Sequence, residues 1–306
     1  MKRSGPRNVV ASVQARLVER SRELGVEHQL TLARFAGERL LYRLSTSEFA
    51  DRFILKGAAL LLLWLGEPIR PTKDVDLLSF GDTSADALGR VFGVLCAIEA
   101  ADDGLTFLPD SIQVEPIREE QEYGGMRVKL MAMLGNVRIP LQVDVGAGDA
   151  VVPPPEIREF PGLLDLPRAT LRMYRPETSI AEKTEALVRL GLANSRMKDF
   201  FDIHELAATH AFDGDILRRA VAATFARRGT AIPAERPLAL TAEFAGNPQK
   251  QAQWAPFVRR TRRPELGELP RIIDALDAFL WPVLEAAARG DGWPYLWSNG
   301  GPWEAR

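Results

Sequence analysis

The chain carries a single cysteine among its 306 residues, so it cannot form an internal disulfide. That residue, Cys96, sits in an apolar stretch with the pattern of a helix core, which suits a reducing compartment and gives it little promise as a nucleophile. Long apolar runs are also missing. The most apolar segment, residues 58–65, is far shorter than the roughly 20 residues of a membrane span, so it belongs to a core. The basic start, residues 1–7, leads into an amphipathic, charge-rich segment rather than an apolar signal region, and a cytoplasmic protein is expected. Charge of one sign is lacking too: the net charge is -2, so any nucleic-acid partner must be held by a local basic patch. What is present is an ordinary globular balance, 46% hydrophobic and 26% charged, over a length that suits two lobes around a cleft.

Periodicity organises the chain. Residues 8–24 and 30–44 place apolar side chains at helical spacing among many charges, predicting two amphipathic opening helices. A strand-like run at 53–55 ends at Lys56-Gly57, and a buried helix follows over 58–65, closed by Gly66. After a stretch with Pro68 and Pro71 come a short strand at 74–80, a helix at 84–100, and strands at 111–117, 126–133 and 137–145. This predicts an α/β lobe with a mixed sheet over residues 1–150. The prolines of residues 151–177 read as a connector with one strand at 169–174. Residues 178–306 read as a mainly helical second lobe. Ser179 and Glu182 form a capping box, Gly191 stops that helix, Ser195 caps the next as far as residue 210, and further helices fill 214–228 and 269–289. The tail from Trp293 has no clear pattern.

Chemistry first appears at Asp74-Val75-Asp76, because residues i and i+2 of a strand share a face. Two carboxylates on one face can hold magnesium ions, in two-metal sites roughly 3.5–4 Å apart, that stabilise attacking and leaving oxygens in nucleotidyl transfer. An isolated Asp-x-Asp is more often a solvated turn. Gly57, just upstream, can present backbone N–H groups to a triphosphate or can be a packing glycine. Asp144 stands on the polar face of the run Leu141 to Val145, either as a third metal or base carboxylate or as the partner of an arginine. In the second lobe, Lys183 interrupts the apolar stripe Ile180, Leu187 and Leu190. It either snorkels, in which case its removal costs little stability, or offers a compact cation to a triphosphate. Asp199 and Asp202 share one helix face near Arg196 and Lys198, where dipole complementation and a surface Lys198–Asp202 pair are the bland alternatives.

The segments Ala50 to Ala58 (ADRFILKGA) and Arg70 to Leu77 (RPTKDVDL) resemble the AbiEii/AbiGii-type, MenT-like nucleotidyltransferase toxins of toxin–antitoxin systems. The likeness continues through Ala181-Glu182-Lys183 and the run from Arg196 to Ile203 (RMKDFFDI). The resemblance implies a polymerase-β-like lobe, a helical second lobe, and magnesium- or manganese-dependent transfer of a nucleotide from an NTP to an acceptor. It further implies a tRNA 3′ end as acceptor, a block of translation, a role in phage defence and an AbiEi-like antitoxin. By position, Asp74 and Asp76 match the metal pair, with Asp144 as a third carboxylate. Lys183 matches the phosphate-contacting lysine, and Asp202 or Asp199 the second-lobe catalytic aspartate. Lys56, Gly57, Arg70, Thr72, Arg196 and Lys198 fall in the nucleotide-side motifs. The chain departs at Ala58, where many members carry Ser or Gly, so one hydroxyl contact to the triphosphate is missing.

For an RNA acceptor the second lobe supplies Arg259, Arg260, Arg262 and Arg263, with Trp254 and Phe257 for stacking, unless these form a solvated helix face. Transfer to a small molecule or a protein is the alternative acceptor chemistry. A catalytically silent binding protein is the third reading, against which the joint presence of Asp74, Asp76, Lys183 and Asp202 argues.

Overall fold

The computed structural model describes residues 8–72, 74–100, 102–117 and 125–306. Two units emerge, and the chain passes between them more than once. The first contains Met1–Leu60, Thr72–Gly148 and Ile157–Met173, and the second Leu61–Pro71, Asp149–Glu156 and Tyr174–Arg306.

The first unit opens with helices α1 (Val9–Leu24) and α2 (His28–Ser45), followed by β1 (Phe53–Lys56) and α3 (Ala59–Leu65), which begins in this unit and ends in the second. Then come β2 (Val75–Ser79), α4 (Ala85–Ala97), β3 (Leu105–Pro116), β4 (Met126–Leu134), β5 (Val137–Ala147), β6 (Glu156–Glu159) and β7 (Thr170–Met173). The strands form one sheet in the order β3-β4-β5-β2-β1-β7-β6. β1 and β2 run antiparallel, as do β3, β4 and β5 in succession, while β2 pairs with β5 and β1 with β7 in parallel. The sheet is therefore mixed, as the sequence predicts. Its alternation is strict where it counts: Val75, Leu77, Val128, Leu141, Val143 and Val145 are buried, while Asp76, Arg127, Gln142 and Asp144 are half-buried between them. α2 lies against β5 and β7, and α4 against β3 and β4. Each fully buried Leu, Val or Phe of that interface contributes about 1.5–3 kcal/mol. Buried Asp103, which the sequence reading did not single out, is held by Arg39 at 3.1 Å and Arg43 at 2.7 Å. Cys96 packs inside, where burial pushes its thiol up to about 11, so it is no nucleophile at neutral pH.

The second unit is built on α5 (Pro176–Leu190), α6 (Met197–Thr209), β8 (Phe212–Asp213), α7 (Gly214–Arg227), α8 (Ala242–Gly246), α9 (Pro248–Val258), α10 (Leu269–Arg289), β9 (Tyr295–Trp297) and β10 (Trp303–Ala305). α10 is its spine, burying Leu269, Ile272, Ile273, Leu276, Phe279, Leu280, Val283 and Leu284 at helical spacing against α6, α7, α8 and α9. The expected helices over 214–228 and 269–289 are present. Two expected helix starts are not. α5 begins at Pro176, so Ser179 lies inside the helix rather than at its cap, because proline suits the first turn, where no N–H is needed. Ser195 does not cap α6; Asn194 Oδ1 instead accepts the Arg196 N–H at 2.7 Å. The tail is ordered by aromatic packing: Trp297 and Trp303 lie 4.9 and 5.6 Å from the Phe279 ring, and β8, β9 and β10 form a small sheet.

Candidate active site

In the first unit the chemistry lies at one register level of the sheet. Asp76 on β2 stands opposite Lys56 on β1 and opposite Asp144 on β5, so both carboxylates share the polar face. Gly57 directly follows Lys56 with φ +74°, a conformation that favours glycine. A Cβ built on it would fall 1.9 Å from Asp76 Oδ2, so the backbone of the turn closes directly on that carboxylate. Gly57 is therefore required twice, by its dihedral and by its neighbour. Asp74 lies just before β2 and is exposed, Thr72 is half-buried, and Lys73 falls outside the described residues. Asp144 is gripped by Arg127, whose Nε and Nη2 donate to its two oxygens at 2.9 and 2.8 Å, while Gln142 Nε2 donates at 3.2 Å. Arg127 escaped the sequence reading. The signal was available: the turn at Gly135 pairs Leu134 with Val137, and counting back along that hairpin places Arg127 opposite Asp144.

In the second unit the residues noted along 183–202 converge with Arg70. Lys183 Nζ lies 2.9 Å from Asp199 and 2.9 Å from Asp202, and both aspartates are fully buried. Arg70 grips Asp202 with Nε at 2.6 Å and Nη2 at 2.7 Å, and Arg196 Nε holds Asp199 at 2.6 Å. The helical spacing explains the convergence, since Asp199 and Asp202 project from one face of α6, which packs on α5 carrying Lys183. Burial disfavours the charged form of each group, but the partners outweigh it. Lys183 is held above the ordinary lysine range by Asp199 and Asp202. Asp199 is held below the carboxylate range by Lys183 and Arg196, and Asp202 likewise by Lys183 and Arg70.

Several sequence expectations change here. Lys183 does not snorkel but neutralises two buried carboxylates, so its removal cannot be cheap. Lys198 is exposed, while Asp202, far from being its surface partner, is buried under Arg70 and Lys183. Of the arginines expected to serve RNA, Arg259 and Arg260 are exposed and Arg262 is half-buried, whereas Arg263 pairs with Glu67 at 2.8 Å and Glu205 at 3.1 Å. Trp254 is buried with its Nε1 donating to the Gly267 carbonyl, which removes it as a stacking platform, and Phe257 packs on Phe201.

Carboxylates beside a left-handed glycine on a mixed sheet, followed by a helical unit with buried, charge-compensated aspartates, make up the arrangement expected from the sequence for a nucleotide-transferring enzyme. Residues 39–280 match the profile of the AbiEii nucleotidyl transferase toxins of type IV toxin–antitoxin systems, and the chain belongs to that family. Two solved structures are similar to it. JHP933 from Helicobacter pylori is 17% identical, aligned over 86% of this chain and 91% of that one with a TM-score of 0.42. An H. pylori protein provisionally described as a nucleotidyltransferase is 16% identical, over 86% of this chain and 94% of that one, with a TM-score of 0.42. No functionally curated protein matches the chain. The family makes the chain a nucleotidyltransferase, with an NTP as donor substrate and an antitoxin as biological partner. No described helix is long and apolar enough to cross a membrane.

Proposed function

We propose that the chain is a magnesium- or manganese-dependent toxin that transfers a nucleotide from an NTP to the 3′ end of tRNA and thereby blocks translation. The observation that carries this reading is the closure of the Gly57 turn on Asp76, which brings backbone so near that carboxylate that no side chain fits between them. The donor set fits the metal, since magnesium is usually held by one or two carboxylates together with substrate phosphates. Asp74 and Asp76 would hold it; Asp144, beside Asp76 in register, has both oxygens engaged by Arg127. Once bound, the metal supplies charge stabilisation for the oxygens around the reacting phosphorus.

The chain's own residues do the rest. Gly57 lets the backbone approach the ligand closely; Lys56 stands opposite Asp76 in register, and Thr72 precedes Asp74 by two residues. On the second unit, Arg70, Lys183 and Arg196 form a cation set suited to phosphate oxygens. Asp199 and Asp202 act there as positioning residues rather than as a base, because their oxygens are already engaged by those cations. In the transfer the acceptor hydroxyl oxygen bonds to the α-phosphorus, the bond to pyrophosphate breaks, and the hydroxyl proton passes to water. Exposed Arg259 and Arg260, with Arg262, are the residues offered to RNA phosphates; Arg263 contributes less, being paired with Glu67 and Glu205.

Incubation of the protein with each labelled NTP, magnesium and total RNA tests the reading: label should enter tRNA-sized species, and Asp76→Asn should abolish it while the fold remains. Near-normal label transfer by Asp76→Asn removes the metal site. If RNA is the acceptor, replacing Arg259, Arg260 and Arg262 should flatten the log–log salt slope of RNA binding by about one unit for each phosphate left without its arginine. The commitment of Arg263 and Trp254 to internal partners favours a second reading, transfer to a small molecule or protein, which the same assay without RNA would reveal.

A further inference from the structure

Five neighbouring strands place charged residues at one register level: Glu115 on β3, Arg127 on β4, Asp144 on β5, Asp76 on β2 and Lys56 on β1. Register partners share a face, so these side chains form a row whose signs run minus, plus, minus, minus, plus. The unfavourable step is in the middle. Asp144 and Asp76 are like charges on adjacent parallel strands, which lie about 4.8 Å apart, and like charges directly opposite one another destabilise a sheet. The row compensates from its flanks, most firmly at Arg127, whose planar fork takes both Asp144 oxygens while Gln142 adds a third donor. Glu115, at the outer end, has Lys129 as an ion-pair partner at 2.5 Å.

We propose that Arg127 is the resident counter-ion of Asp144: it competes with the metal for that carboxylate and limits the protein ligands to Asp74 and Asp76. The inference rests on the metal site proposed above and narrows it. Arg127 is thus a positioning residue that sets the strength with which the site binds a divalent ion. An arginine cannot be deprotonated at accessible pH, so the competition persists across the working range.

The experiment is a Mn2+ titration of the full-length protein without nucleotide, followed by electron paramagnetic resonance of free Mn2+ and by calorimetry. Arg127→Met should tighten binding by about tenfold or more, because a released carboxylate next to a divalent cation is worth at least that at a partly exposed site. Asp144→Asn alone should leave affinity near that of the parent. The double variant R127M/D144N should also return there, since the gain requires the freed Asp144. Unchanged or weaker binding by R127M, or tightening that survives the loss of Asp144, overturns the proposal. Circular dichroism guards against misfolding. Should R127M fail to fold, Arg127→Lys keeps the charge but removes the fork, and a smaller tightening that Asp144→Asn again abolishes supports the same conclusion, whereas none refutes it. Parent protein that shows no Mn2+ binding sensitive to Asp76→Asn overturns the metal site itself, a failure separable from that of Arg127.

Discussion

At the scale of single residues, two positions carry opposite kinds of constraint. Gly57 is constrained by space. Gly57→Ala must relieve a positive φ, at about 1–2 kcal/mol, and displace the Asp76 carboxylate that a Cβ would meet at 1.9 Å. The expected outcome is loss of nucleotide transfer by about a hundredfold or more with a modest fall in melting temperature, read by the labelled-NTP assay and by thermal denaturation. Lys183 is constrained by charge. Lys183→Ala leaves Asp199 and Asp202, both fully buried, short of a shared cation, and should cost about 3–5 kcal/mol in urea denaturation. A variant as stable as the parent would return Lys183 to an ordinary packing residue. The sequence made the first constraint visible, because a glycine between a strand and a helix suggests a turn. It made the second visible only in part. A lysine in an apolar stripe demands a partner, but helical periodicity cannot say which partner, and Arg70 reaches Asp202 from another part of the chain entirely.

Among elements, helices were legible wherever packing and chain punctuation agreed. α10 runs over the expected span, and α5 ends at Gly191 as expected, because a glycine with positive φ closes each. Starts were less legible, since several polar residues competed for each cap. Asn247, which periodicity does not mark, caps α9 by accepting the Gln249 N–H at 2.9 Å and the Lys250 N–H at 3.3 Å. Asn247→Ala should therefore destabilise by about 1 kcal/mol, whereas Ser179→Ala, inside α5, should be near neutral; paired urea melts distinguish them. Equal costs would mean that the α5 start is as the capping box suggests. The short strands β6, β8, β9 and β10 escaped notice because two to four residues carry too little alternation to separate strand from loop.

For the whole molecule, pH response follows from the buried cluster of the second unit. Asp199 and Asp202 have folded-state pKa values below their unfolded ones, so their stabilisation is complete above about pH 4 and is lost as pH falls through the depressed values. Lys183 is raised, so its contribution is complete below about pH 10 and disappears as pH climbs through the raised value. Stability against denaturant should therefore be flat, as far as this cluster is concerned, from roughly pH 5 to pH 9. D199N should shallow the acid limb in a series of melts across pH; an unchanged limb would place the acid response elsewhere.

The order of strands in the sheet has a consequence for synthesis. β1 is an inner strand, yet its parallel neighbour β7, joined at Leu55 and Met173, is made only after β2 to β6. On the ribosome, the N-terminal part of a growing chain holds β1 and β2 early but cannot complete the sheet around them until residues 157–173 have cleared the exit tunnel. The strand left waiting is β1, which stays open on one side until β7 is available, whereas β2, flanked by β1 and β5, has both neighbours earlier. Nascent chains arrested at residue 150 should be protease-sensitive and devoid of transferase activity, while arrest after α10 should restore both protection and activity.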